Sequence, residues 1–204
     1  MKWARELNGL LPVVVDLETS GLDYHQHAIL EMACIFVDCG QRLSLSEIVF
    51  HEHVTPFEGA KTDPQAMEVN RIPLKHPFRF AKSEKETLTS LNELLEKQLK
   101  EQKCSRVILV GHNAHFDLSF LNAAYHRTGI KSFFHHFCVL DTVTLSAAFL
   151  GETVLAKALY KSKIGFDPEL AHGALYDAKQ TGKLFCYLMN SVRTDPKPSS
   201  KGGV

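Results

Sequence analysis

LPVVVDLET, residues 11–19, decides how this chain folds. Its first part, Leu11–Leu17, is a short apolar run rich in β-branched valine. That composition belongs to a central strand buried on both faces. Asp16 stands where the run gives way to a loop, and Glu18 follows two residues later. On an extended backbone both side chains project to the same side. Like charges at that range oppose each other's ionisation, which makes the pair a poor structural choice. Taken alone, though, the two acids also read as a helix cap beside a surface acid, because short motifs recur by chance.

Two more segments repeat the arrangement. GHNAHFD, residues 111–117, carries Asp117 across a loop from another apolar run, and AHGALYD, residues 171–177, brings His172 and Asp177 to the start of a helix. Asp117 could simply cap the helix that follows, and Asp177 could be a solvated helical acid. His172 precedes Asp177 by five positions, a spacing that turns two side chains apart on one helix. His172 therefore belongs in the loop before Gly173. Singly each residue has a bland explanation; jointly, four acids and a histidine at strand and helix ends ask for divalent metal. Four carboxylates balance two Mg²⁺, and paired metals are a recurring device for cleaving phosphodiesters. The set points to hydrolysis of nucleic acid.

The rest of the chain is consistent with one α/β domain over 1–193. At 204 residues, 45% hydrophobic and 23% charged, it has the composition of an ordered soluble domain. Net charge is zero, so a nucleic-acid partner requires cations concentrated locally. Five scattered cysteines without a CxxC pair read as reduced thiols. The apolar run Leu10–Val15 is too short for a signal peptide and Asp16 closes it, so a cytoplasmic chain with no membrane partner is expected.

Strands are expected at Leu11–Leu17, Ile29–Val37, Glu47–Val54, Arg106–Val110 and Phe137–Leu140. Ser83 and Glu86 form a capping box for a helix with the stripe Leu88, Leu91, Leu94, Leu95 and Leu99. Further helices are expected over Phe116–Thr128, Thr142–Phe149, Thr153–Lys161 and Gly173–Val192. A long loop from Thr55 to Phe80 holds a short helix near Pro64–Val69, and the Pro/Ser/Gly/Lys-rich tail 194–204 is expected to be disordered. The order implies a mixed sheet of about five strands flanked by helices. His51 and His53 share a strand face but lack further ligands nearby in sequence, and Asp141 reads as a helix cap rather than a fifth metal ligand. Lys97, Lys100, Lys103 and Arg106 form the densest basic run. A five-residue strand spans about 17 Å, which puts that run and the acids toward opposite ends of the sheet.

VDLET, HNAHFD and HGALYD together resemble the three motifs of the DEDDh exonuclease family, which has a ribonuclease H-like fold. PVVVDLETSG, HVTPFEGA, FDPELAHGALYD and GETVLAKA narrow the resemblance to the ribonuclease T family, up to about residue 190. The subclass with a catalytic tyrosine places it four residues before the last aspartate, where this chain has Gly173. The resemblance implies a 3′–5′ exonuclease that trims structured RNAs such as transfer RNA, acts on single-stranded DNA ends, and works as a homodimer. A proofreading or DNA-repair exonuclease and an oligoribonuclease are the alternatives within the class, and a non-catalytic nucleic-acid-binding or polymerase-docking module is the one outside it. It implies two Mg²⁺ per subunit, replaceable by Mn²⁺, held by Asp16, Glu18, Asp117 and Asp177. His172 is then the general base, and Glu18 reaches toward the terminal ribose 3′-OH. Phe116 and Phe137 match two of the family's base-stacking phenylalanines, while Leu22 and Val69 stand where two other aromatics are expected.

Overall fold

A computed structural model describes residues 7–192. The expected tail 194–204 lies outside the described residues. Three strands open the chain as a meander: β1 (Leu10–Thr19), β2 (Ile29–Cys39) and β3 (Leu43–His53). After them come α1 (Pro64–Asn70), a 3-10 turn (Pro77–Arg79), α2 (Glu84–Gln102), β4 (Arg106–Gly111), α3 (Ala114–Thr128) and β5 (Phe134–Asp141). Three helices close it: α4 (Thr142–Leu150), α5 (Leu155–Lys161) and α6 (Ala174–Ser191).

The sheet order is β3-β2-β1-β4-β5, so the first strand is central as its composition requires. β1 runs antiparallel to β2 and parallel to β4, and β5 continues the parallel half. Alternate residues of β1 feed two cores. Val13, Val15 and Leu17 meet the Leu88–Leu91–Leu95 stripe of α2 and Phe120 and Leu121 of α3. Val14 faces the other way, toward Ala174, Ala178 and Phe185 of α6. Asp16 and Glu18 continue the Val14 face, beneath the start of α6. The capping box at Ser83 and Glu86 is present, with both reciprocal hydrogen bonds.

Three of the departures from the expected boundaries have a visible cause. β3 begins at Leu43 rather than Glu47, because the turn after Cys39 returns the chain at once into pairing, with Cys39 opposite Leu43. β5 begins at Phe134, and its register slips: Val107 pairs with Phe134 but Leu109 with Val139, so His135–Cys138 bulge outward. α3 starts at Ala114, since the Asp141 carboxylate accepts from Asn113 N and Ala114 N as well as from Val143 N. One aspartate thus caps two helices. Among the described residues no single helix is long and apolar enough to cross a membrane; the bent pair α4–α5 meets length and composition only jointly, across a 44° break.

Gly182 lets α6 lie close on the sheet. A Cβ there would stand 2.5 Å from Leu45 Cδ2 and 3.1 Å from Val14 Cγ2. Gly182→Val is expected to destabilise the fold by about 1–3 kcal/mol through overpacking. The urea midpoint should drop with an unchanged slope. An unshifted midpoint would mean that α6 does not rest on β1 and β3 as described.

Candidate active site

β1 outruns its neighbour. The β1–β4 ladder stops at Val14 opposite Val110, while β1 continues to Thr19. The backbone N–H of Leu17, left without a strand partner on that side, donates to Asp117 Oδ1 at 3.0 Å. Asp117 is buried in the first turn of α3 and so takes the place of a missing strand. It does not cap that helix; Asn113, at φ 70°, is the N-cap residue. Gly111 makes the approach possible, because a Cβ there would lie 3.0 Å from Ala114 Cα and 3.4 Å from Asp117 Oδ2.

The hydrogen bond at Leu17 fixes the strand between Asp16 and Glu18, and both carboxylates face α6. Asp16, Glu18 and Asp177 each offer an oxygen, all within 4.8 Å of one another. Asp177 comes from the first turn of α6, and its Oδ2 accepts from His172 N at 2.9 Å. His172 occupies the turn before the helix, in the left-handed region at φ 65°, with its side chain exposed. Together with Asp177, Leu155 and Phe166 it lines a cavity of about 370 Å³.

Electrostatics oppose this gathering. Burial raises the Asp16 carboxyl well above the usual carboxylate range, and Asp117, Glu18 and Asp177 push it further. Glu18 is pushed up to about 8 by burial, then by Asp177, Glu31 and Asp117. Asp117 is raised by burial, against the lowering effect of its backbone hydrogen bonds. Asp177 is raised by burial too, partly offset by the hydrogen bond from His172. Among the described residues, no ion pair involves any of these four acids. Carboxylate oxygens gathered here, half-buried at Asp16, Glu18 and Asp177 and without a protein cation, are a donor set that fits hard divalent ions.

Glu31 is the residue that sequence reading passed over. It lies directly across from Glu18 on β2, and its Oε1 sits 2.6 Å from His51 Nε2. Its one sequence signal is being the sole charge in the apolar run Ile29–Val37. His51 is therefore partnered by a carboxylate, and its ring centroid stands 5.7 Å from that of His53.

The proposed substrate contacts separate into three places. Leu22, Val69 and Phe116 converge on a cavity of about 310 Å³ that Glu18 also lines. Phe137 is not among its lining residues; it is exposed on the β5 bulge, edge-on to the rings of His135 and His136. The basic run lies at the far end. Arg106 pairs with Leu10, six residues before Asp16 and about 20 Å along the strand. Lys97 and Lys100 face Glu101 and Glu96 on their own helix, at 4.0 and 2.8 Å, and Lys103 is the helix C-cap.

The sequence profile of the family described as Exonuclease matches residues 13–185. Ribonuclease T of Haemophilus influenzae is 42% identical over 187 residues, covering 91% of this chain and 82% of that protein. Ribonuclease T of Yersinia enterocolitica is 46% identical over 184 residues, covering 89% and 86%. Among solved structures, E. coli exonuclease I in complex with a dT13 oligonucleotide superposes with a TM-score of 0.71 at 15% identity. That match covers 91% of this chain but 42% of the exonuclease I chain, and it carries the fold alone.

The raised carboxyls set a pH dependence. Glu18 moves from an ordinary 4.5 to about 8 on folding. Between those values the folded metal-free chain holds more protons than the unfolded one. The contribution of Glu18 to stability is therefore fullest below about pH 4.5 and is lost as pH rises toward 8. Added Mg²⁺ should raise the Tm, and by more at pH 8 than at about pH 5. Asp16→Asn should reduce both the pH-dependent loss and the Mg²⁺ shift. A Mg²⁺ shift that is flat across this range would show that the acids do not hold the ion.

Proposed function

From a chain that belongs to the ribonuclease T family of exonucleases, we propose that it trims the 3′ ends of structured RNAs such as transfer RNA, and also single-stranded DNA ends. The enzyme is a 3′–5′ exonuclease that depends on divalent metal. The observation that carries the reading is the meeting of Asp16, Glu18 and Asp177 within 4.8 Å while Asp117 is locked onto Leu17 N. In our reading these four acids hold two Mg²⁺, with Mn²⁺ able to replace them. Such ions, when bound, neutralise the charge of the phosphodiester and of the departing oxygen.

The chain's own groups do the rest. His172, on an exposed turn tied by its backbone to Asp177, takes the proton of the attacking water. Glu18 lines the cavity that receives the terminal nucleoside and accepts from its 3′-OH, which confines cutting to ends. Leu22, Val69 and Phe116 wall that cavity. Two aliphatic walls give contact but no π face, and base–aromatic stacking is worth about 1–3 kcal/mol per base. The terminal-base preference should therefore differ from that of a relative with aromatics at those places.

We further read the enzyme as a cytoplasmic homodimer, in keeping with five free thiols and with Lys97, Lys100, Lys103 and Arg106 lying far from their own acids. In a two-fold dimer that run would guide RNA toward the partner's acids.

A panel of 3′-labelled transfer RNA, single-stranded DNA and dinucleotide, with Mg²⁺ or EDTA, tests the activity. Mononucleotide release from the 3′ end only with metal is expected, and metal-independent or internal cutting would overturn the reading. His172→Ala should lower kcat by about 10²–10⁴-fold with little change in binding. It should also flatten the acidic limb of the pH profile; an unchanged limb would assign the base to another group. Lys97→Ala/Lys100→Ala/Lys103→Ala should raise KM and weaken the salt dependence. Refolded with Asp117→Asn, it should regain activity in mixed dimers. Confirmed heterodimers no more active than the sum of their parents would rule out feeding across the dimer.

A further inference from the structure

The loop between α1 and α2 exposes two phenylalanines that the catalytic constellation does not use. Phe78 is 74% and Phe80 77% exposed, more than any other phenylalanine among the described residues. Their ring centroids stand 6.3 Å apart, and the His76 ring lies 5.7 Å from Phe78. Adjacent exposed aromatics are costly in water, unlike single scattered ones, and mark a surface that meets something.

The backbone holds the pair rigidly. Arg79, between them, is buried, and its guanidinium donates to Leu30 O and, at 3.0 Å, to Val54 O. That anchor leaves its two neighbours facing solvent. Phe80 adopts the left-handed region at φ 47°, ψ 36°, which a bulky side chain rarely enters. A residue held there without burying its ring points to use rather than packing.

The place is the catalytic end of the sheet. Leu30 immediately precedes Glu31, the cross-strand partner of Glu18, and Val54 follows His53, the partner of Glu31. The anchor therefore lies one to two strand spacings, about 5–10 Å, from the strand of the catalytic acids. The loop also continues directly from α1, whose Val69 walls the cavity beside Glu18.

Its charge completes the case. Residues 69–83 contain Arg71, Lys75, Arg79 and Lys82 and no acid; Arg79 is the buried anchor and Lys82 pairs with Glu52 at 2.5 Å, which leaves Arg71 and Lys75. Arg71 and Lys75 are exposed, and no ion pair among the described residues joins either one. Lys97 and Lys100, by contrast, face glutamates. Aromatic faces beside free cations are the surface that single-stranded nucleic acid takes, through stacking and phosphate contacts.

We infer that Phe78 and Phe80 form a stacking platform for unpaired bases of the substrate strand, a few nucleotides 5′ of the bond being cut. The inference rests on the exonuclease reading and assigns that site its upstream subsite. The platform makes an extended single strand a better substrate than a dinucleotide, and Arg71 and Lys75 hold the phosphates between the stacked bases.

The test compares kcat/KM on an eight-nucleotide single strand with that on a dinucleotide, for wild type and for Phe78→Ala/Phe80→Gly. Glycine suits the left-handed backbone, so the variant keeps the fold. The advantage of the longer strand should fall by about tenfold or more. In the Asp16→Asn background, 2-aminopurine placed three to five nucleotides from the 3′ end should be quenched on binding, and the double variant should lose that quenching. An active wild type whose length advantage survives in the variant overturns the platform alone. Loss of the dimer by sedimentation, with equal losses on both substrates, overturns it in favour of a surface for a second copy. A wild type inactive on both strands overturns the exonuclease reading and the platform with it.

Discussion

The hydrogen bond from Leu17 N to Asp117 is the constraint on which the site depends. A central strand that outruns its parallel neighbour leaves backbone donors with no ladder partner, and a buried unsatisfied N–H costs about 1–3 kcal/mol. Asp117 meets that need from the next helix, and the same carboxylate is thereby fixed beside Asp16 and Glu18. Gly111 and the double cap made by Asp141 serve the same end, since together they bring α3 down close enough for Asp117 to reach. The catalytic end of the sheet is thus a place where backbone satisfaction and acid placement are one problem.

The acids themselves work against the fold. Each is raised by burial, and Asp16 and Glu18 are raised further by their neighbours, so the metal-free chain folds around a cluster that resists ionisation. The fold tolerates this because its cores lie elsewhere: the α2–α3 core on one face and the α6 core on the other flank the acids without requiring them. A divalent cation turns the same repulsion into affinity, which is why a site can be poorly suited to an empty protein and well suited to a working one.

Net neutrality turns out to be a matter of distribution. The acids sit at one end of the sheet, and the basic run on α2 and β4 sits at the other, where Lys97 and Lys100 face glutamates of their own helix. In the loop before α2, Arg71 and Lys75 are exposed cations outside any ion pair among the described residues, and exposed rings stand nearby. Substrate capture and catalysis can then share one end of the molecule without a basic surface overall.

Much of this was legible in the sequence. LPVVVDLET set the central strand and put two carboxylates on one face, because side-chain alternation in a strand is a local property. The five-residue spacing of His172 and Asp177 placed the histidine off the helix, where it stands in a left-handed turn. Ser83 and Glu86 marked the start of α2 by local hydrogen bonding. What only the tertiary structure decided was everything that joins distant segments. Asp117 read as one of four metal-holding acids, but that it is also a surrogate strand partner 100 residues from its donor was not visible. Glu31 looked like one charge in an apolar run and is the neighbour of Glu18. The bulge in β5 and the Arg79 anchor depend on which strands lie alongside. Local chemistry is written in consecutive residues, whereas a carboxylate's partner is set by the register between strands, and register is fixed only when both faces of the sheet have packed.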